Sequence, residues 1–327
     1  MNTFGRQLRV TLRGGSHTAE IAVVVEGIPA GVALAEGMFA ADLDRRRPGT
    51  VGTTARRESA FPHIAGLCDG RTTGEALEIV FRNENIRRSD YSRFADCPRP
   101  SHADLTQRRK YGDCCDISGG GQASGRMTVA LVAAGVVAKR IVPWACFSTR
   151  LVSVGGQTDP MLFDDEIAAA AAAGDSVGGV VECRVSGMRV SLGEPFFDSA
   201  ESMISHLVFS VPGVKGIEFG DGFEGARKHG SERNDAIVDA GGRTATNNEG
   251  GINGGITNGN DVVFRVAVKP TASISREQIT YDFSTGRMER LVVGGRHDAC
   301  IARRAMVVIE AVAAIALADM YLVESRS

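Results

Sequence analysis

The sequence predicts an α+β protein, on three observations. The β-branched runs Val180–Val185 and Val262–Val268 are typical of strands. Strongly apolar stretches near residues 130 and 310 read as buried helices. The two kinds of element follow one another without the regular strand–helix–strand rhythm of a doubly wound sheet. With 327 residues, 43% hydrophobic and 23% charged, the chain can bury a large core and is neither disordered nor fibrous. No composition break marks a linker, so one domain over residues 1–327 is expected.

The elements are expected in this order. Two strands, Leu8–Leu12 and Ile21–Glu26, are joined by the tight Gly14–Thr18 stretch. Phe39–Arg46 reads as a helix stopped by Pro48-Gly49. An apolar helix, Met127–Arg140, follows the Gly119-Gly120-Gly121 run. Glu166–Ala173 is an alanine-rich helix ended by Gly174, where glycine supplies the left-handed cap. The two β-branched strands come next, and Arg303–Tyr321 closes the chain as a mostly buried helix. Ala240–Gly259, rich in Gly and Asn, reads as a surface loop, and its length favours a functional role.

The net charge is only −2, which argues against a general nucleic-acid binder or a protein held to anionic membranes. The stretch Ala305–Ala318 is short for a bilayer span and carries Glu310. No charged-then-apolar leader opens the chain, and the seven cysteines include no C-x-x-C pair. The expectation is a cytoplasmic protein without a metal site. Arginine outnumbers lysine 32 to 5. The guanidinium fork suits phosphate and carboxylate ligands, but biased codon usage gives the same ratio.

Several motifs fail on inspection. Gly119–Gly125 lacks the third glycine of a dinucleotide fingerprint, because Ser124 stands there, and no Walker A Lys-Ser/Thr pair follows a glycine run. Gly14–Thr18 approaches a nucleophile elbow, but Thr18 replaces the last glycine and the turn joins two strands. What remains is a set of titratable residues in glycine-rich turns: His17 after Gly14-Gly15-Ser16, His102 within Arg99–Asp104, and Arg296-His297-Asp298 after Gly294-Gly295. With Arg45-Arg46-Arg47 they point to a site for an anionic ligand, served by acid–base groups of suitable pKa.

These segments, in this order, resemble the chorismate synthases. The resemblance starts with MNTFGRQLRVT and the GGSHT turn, then runs through LDRRRPGT, DYSRF, RPSHAD, KYG and SGGG. It continues with GDSVGGVVECRVSG, LGEPFFD, VKGIEFGDGFE, GGINGGITNG, VAVKPTASI and GGRHDAC, covering essentially the whole chain. It implies a single large β-α-β sandwich, with helices layered between antiparallel sheets, assembled as a homotetramer. It also implies conversion of 5-enolpyruvylshikimate 3-phosphate to chorismate by anti-1,4-elimination of phosphate. The family requires reduced FMN for this, with NADPH or an external flavin reductase as the candidate source of electrons.

By position in these motifs, His17 is implied as the acid near the departing phosphate, His102 as the flavin's proton donor, and Asp298 as the base. Flavin contacts are implied for Gln122, Ala123, Ser124, Pro212, Gly213, Gly254, Lys269, Pro270, Thr271, Ala272, Ser273 and Arg296. Substrate or dinucleotide contacts are implied for Arg45, Arg46, Arg47, Arg99 and Arg126. Some positions depart from the family pattern. Gly15 and Thr18 stand in the first signature, Gln122 replaces a cationic flavin contact, Gly52 replaces an arginine, and Ala299 replaces a proline, which is expected to loosen its turn. The alternative to a working enzyme is a divergent paralogue that binds a flavin or phosphate ligand with weakened or lost catalysis.

Overall fold

The computed structural model describes residues 2–49, 51–53, 62–83, 89–112, 116–295 and 297–325. Five strands form one antiparallel sheet, in the order Thr3–Phe4, Arg9–Gly14, Glu20–Glu26, Leu77–Arg82, His63–Ala65. Four form a second, also antiparallel: Val214–Phe219, Val262–Val268, Gly179–Ser186, Cys146–Val154. Period-2 alternation explains which side is buried. Val23 and Val25 of the first sheet and Val181, Cys183 and Val185 of the second all turn inward.

The helices of eight or more residues are, in chain order, α1 (Gly37–Arg46), α2 (Asp104–Tyr111), α3 (Thr128–Ile141), α4 (Phe163–Ala172), α5 (Ala200–Val208) and a closing helix, Ala302–Glu324, of which α3 and the closing helix lie between the sheets. Helix α3 packs on the first sheet, the closing helix packs on the second, and the two helices pack on each other. One contiguous core runs through all four layers. The α+β expectation therefore holds, as does the layering of helices between antiparallel sheets.

The two central helices approach closely at Gly135. A Cβ placed there would lie 2.3 Å from the Cβ of Ala311. This explains a glycine in a helix interior, where it costs about 1 kcal/mol of propensity relative to alanine. Gly135→Ala should therefore destabilise the protein by about 1–3 kcal/mol through overpacking, despite the better propensity. A denaturant midpoint equal to or above the parent's would show that the helices can move apart.

The closing helix is longer than the apolar stretch in the sequence. At 23 residues it meets the length and hydropathy of a membrane span, but most of it is buried inside the fold. Its two buried acidic residues are each satisfied internally. Glu310 accepts hydrogen bonds from Arg45 (2.6 and 2.7 Å) and Thr149 (2.6 Å), with Lys139 at 3.4 Å. Burial pushes its carboxyl up, but these partners outweigh burial and the net shift is downward. Asp319 accepts from the backbone N–H groups of Arg6, Gln7 and Leu8, tying the first strands to the last helix.

The Ala240–Gly259 stretch is not a loose surface loop. Ile252–Asn253 and Ile256–Thr257 form a small hairpin. The fully buried Thr257 exchanges backbone hydrogen bonds with Ser191 and Leu192.

Candidate active site

A cavity of about 690 Å³ opens where loops from both sheets meet the N-terminus of α3 and the start of the closing helix. Its size is that of a small-molecule or cofactor site. The Gly14–Thr18 turn joins the first two long strands and bends onto the glycine run. Ser16 N–H donates to the Gly121 carbonyl at 3.0 Å, and the Thr18 hydroxyl closes the turn by accepting from Gly15 N–H at 2.8 Å. A threonine in place of the family's glycine thus supplies its own cap.

His17 is buried behind Ser16 and Gly119, which line the cavity. Its Nδ1 lies 3.1 Å from the Ser118 carbonyl, and its ring meets Tyr91 edge-on at 4.9 Å. A carbonyl can only accept, so Nδ1 carries the proton.

His102 lies on the cavity wall, with Nδ1 2.7 Å from Oδ1 of Asp104. Arg99 grips the same carboxylate with Nε (2.8 Å) and Nη2 (2.7 Å) and donates Nη1 to Ser273 Oγ (3.0 Å). Burial alone would push the Asp104 carboxyl up. The hydrogen bonds and charges of Arg99 and His102 outweigh it and hold the group at about 2.

Asp298 lines the cavity and accepts from Arg304 Nη1 at 2.8 Å, while its own carbonyl accepts from Thr271 Oγ1 at 2.6 Å. Arg304 also donates Nε to the carbonyl of Arg46 at 2.9 Å, linking the Asp298 turn to the end of α1. His297 faces the cavity beside it, with Nε2 3.2 Å from the Gly294 carbonyl. Burial pushes its pKa down, and the bond to Gly294 only partly opposes this.

The turn after Asp298 is not loosened by Ala299, contrary to the expectation from its replaced proline. Ala299 N–H donates to the carbonyl of Gly52 at 2.7 Å, a bond no proline can make. Gly52 has φ +74°, and a Cβ there would meet Ile167 Cγ2 at 2.1 Å. The two departures from the family pattern touch one another and act as a single local solution.

Most of the expected ligand-contact residues come together. Gln122, Ala123, Ser124, Pro212, Gly213, Lys269, Pro270, Thr271, Ala272 and Ser273 all line the cavity, with Arg46, Arg99 and Arg126. Arg46 is buried, bonded to Thr128 Oγ1 (2.9 Å) and to the carbonyls of Gly125 and Arg126 (3.2 and 3.1 Å). Arg126 donates to the Ser16 carbonyl at 2.9 Å.

Three expected residues stay outside. Arg45 is committed to Glu310, since residues adjacent on a helix point about 100° apart and only Arg46 turns to the cavity. Arg47 pairs with Asp44 at 2.5 Å. Gly254 sits in the small hairpin with open space around it. Arg296 lies outside the described residues.

Arg304 lines the cavity but carried no local signal in the sequence, while Tyr91, Ser101 and Lys215 line it from motif stretches in which no role was expected of them. His297 was visible only as part of its glycine-rich turn.

The lining carries a positive excess. Asp298 stands against Arg46, Arg126, Lys215, Lys269 and Arg304. Lys269 donates to the Ser101 carbonyl at 2.6 Å, and among the described residues no carboxylate pairs with it or with Lys215. Burial, and then the charge of Lys215, push the Lys269 pKa down, so a bound anion would relieve both. The same lining includes the apolar residues Phe209, Val211, Ile301, Ala305 and Val308. A flat aromatic ring system carrying a phosphate fits this division of donors and apolar surface.

The chorismate synthase family model matches residues 8–322. A chorismate synthase of Chitinophaga pinensis is 53% identical over 329 residues, covering 100% of this chain and 98% of the relative. That of Archaeoglobus fulgidus is 41% identical over 353 residues, covering 99% and 98%. A crystal structure of chorismate synthase superposes with a TM-score of 0.76 at 25% identity, covering 98% of this chain and 93% of that one. On sequence along nearly its whole length and on fold, the chain belongs to the chorismate synthase family.

Proposed function

We propose that this chain converts 5-enolpyruvylshikimate 3-phosphate to chorismate by 1,4-elimination of phosphate. It acts in the cytoplasm, as a homotetramer whose subunits are single domains over residues 1–327. The observation that carries the reading is the cavity, whose described lining joins an excess of cationic side chains to Asp298, His102 and a set of apolar residues. A substrate bearing a phosphate and carboxylates needs such donors, and a leaving phosphate needs them most as its charge develops.

Gln122–Ser124, Pro212–Gly213 and Lys269–Ser273 would hold reduced FMN, whose chemistry there would be to lend electron density to the elimination with no net redox change. Its reduction is assigned to NADPH, directly or through a separate reductase. The chain's own residues do the rest. Arg46 and Arg126, held in part by backbone carbonyls, line the cavity where the substrate anion would bind. His17, with Nδ1–H committed to Ser118, would serve as the acid at the phosphate side through Nε2–H of its imidazolium form. In its imidazolium form His102 donates Nε2–H toward the cofactor, and Asp298, steadied by Arg304, receives the proton lost from substrate.

Titration of reduced FMN checks this reading. Binding should be about tenfold or more tighter with substrate present, because the two ligands share one cavity and its charges. Equal affinity with and without substrate would favour a non-catalytic binding protein.

A further inference from the structure

Asp104 does not line the cavity, yet it is the group through which His102 is held there. It is the first residue of α2 and is fully buried, as is its partner Arg99. Its Oδ1 receives Arg99 Nη2 at 2.7 Å and lies 2.7 Å from His102 Nδ1, while Oδ2 receives Arg99 Nε at 2.8 Å. Arg99 is fixed in turn by Ser273 Oγ at 3.0 Å and by the ring of Phe94, 4.4 Å below its guanidinium.

Apart from the Asp104 contact, which lies off the ring N–H direction, His102 Nδ1 has no partner among the described residues. A bare ring nitrogen 2.7 Å from a carboxylate oxygen is repelled, whereas an N–H dipole is attracted, so the contact favours Nδ1–H. The opposite edge of the ring lies against Gly120, where φ is +92° and an added Cβ would come within 3.4 Å of Cε1 and 3.6 Å of Nε2. Gly120 is itself tied to α2 by Gln107 Nε2 donating to its carbonyl at 3.0 Å. Helix α2 therefore holds both edges of the imidazole.

We infer that Asp104 is a positioning residue: kept ionised by Arg99, it fixes neutral His102 as the Nδ1–H tautomer and leaves Nε2 as the nitrogen that meets the bound ligand. The chemical use of that nitrogen rests on the proposed function, but the tautomer does not.

The test is long-range proton–nitrogen NMR on the full chain labelled with 15N-histidine, with His102 assigned by His102→Gln. In the parent, neutral His102 should be the Nδ1–H tautomer, and finding Nε2–H overturns the inference. In Asp104→Asn, the single amide oxygen goes to the Arg99 fork and the NH₂ turns to Nδ1, so the tautomer should flip to Nε2–H. A folded variant that stays Nδ1–H also overturns it. If the variant does not fold, the parent spectrum still decides.

Turnover adds a second readout. Asp104→Asn should lower kcat by about 10²-fold with KM changed by less than about threefold, the split expected when an acid–base group is misaligned and binding is kept. A folded variant that keeps parental kcat counts against the positioning role. If the parent itself gives no turnover, the proposed function fails while the tautomer result stands.

Discussion

Asp298→Asn is expected to lower kcat by about 10²-fold or more, the usual scale for removing a general base. The asparagine keeps the volume, and its amide oxygen can still accept from Arg304 Nη1, now 2.8 Å from the carboxylate. The turn itself is held by backbone bonds that the change does not touch: Thr271 Oγ1 to the Asp298 carbonyl, and Ala299 N–H to Gly52. Substrate binding should therefore stay within a few fold while the group that accepts the proton is gone. Measured kcat and KM under anaerobic conditions check this. A fall of less than threefold would assign the base to another residue, and His297, which faces the same cavity, would be the next to change.

His17→Ala should have an effect of the same order, about 10²-fold or more in kcat. It is not a clean deletion. The imidazole is almost fully buried, donates to the Ser118 carbonyl and packs on Tyr91, so its loss also leaves a buried acceptor unpaired. That unpaired acceptor costs about 1–3 kcal/mol of stability. His17→Gln separates the two effects, since its amide can donate to Ser118 but cannot act as an acid. Both variants should be equally slow, and only the alanine should melt earlier. If His17→Gln retains parental kcat, His17 is a structural residue of the wall behind Ser16.

Much of the fold could be read from the sequence because its signals are local. Val262–Val268 is a strand from end to end as expected, and the apolar runs of α3 and the closing helix fall within a few residues of their predicted bounds. Cys146–Val154 and Val214–Phe219 were not anticipated. The first has the small polar residues Ser148, Thr149 and Ser153 on a half-exposed surface, and the second is interrupted by Gly216 at a bulge. Their pairing partners, far away in sequence, make them strands. Asp104–Tyr111 gave little periodicity because it is a polar helix with only Asp104 and Gln107 buried, and both side chains serve the site rather than the core.

The site divides along the same line. His102 and Asp298 announced themselves by sitting in turns, where backbone conformation and chemistry coincide. Arg304 gave no sign, because it lies in an ordinary helix and reaches the cavity only through packing. The arginine run shows the limit of a charge count. Of Arg45, Arg46 and Arg47, helical geometry sends one to the buried Glu310, one to the cavity and one to a neighbouring Asp44.

The five lysines prove more informative than the 32 arginines, since Lys215 and Lys269 both face the cavity without a carboxylate partner among the described residues. Gly52 and Ala299, two separate departures in the sequence, become one hydrogen-bonded contact in space.

The most direct measurement is anaerobic phosphate release from 5-enolpyruvylshikimate 3-phosphate with chemically reduced FMN. The account predicts release that depends on reduced flavin, yields chorismate in equal amount and leaves the flavin reduced at the end. No phosphate release from folded protein with FMN and substrate bound would contradict it.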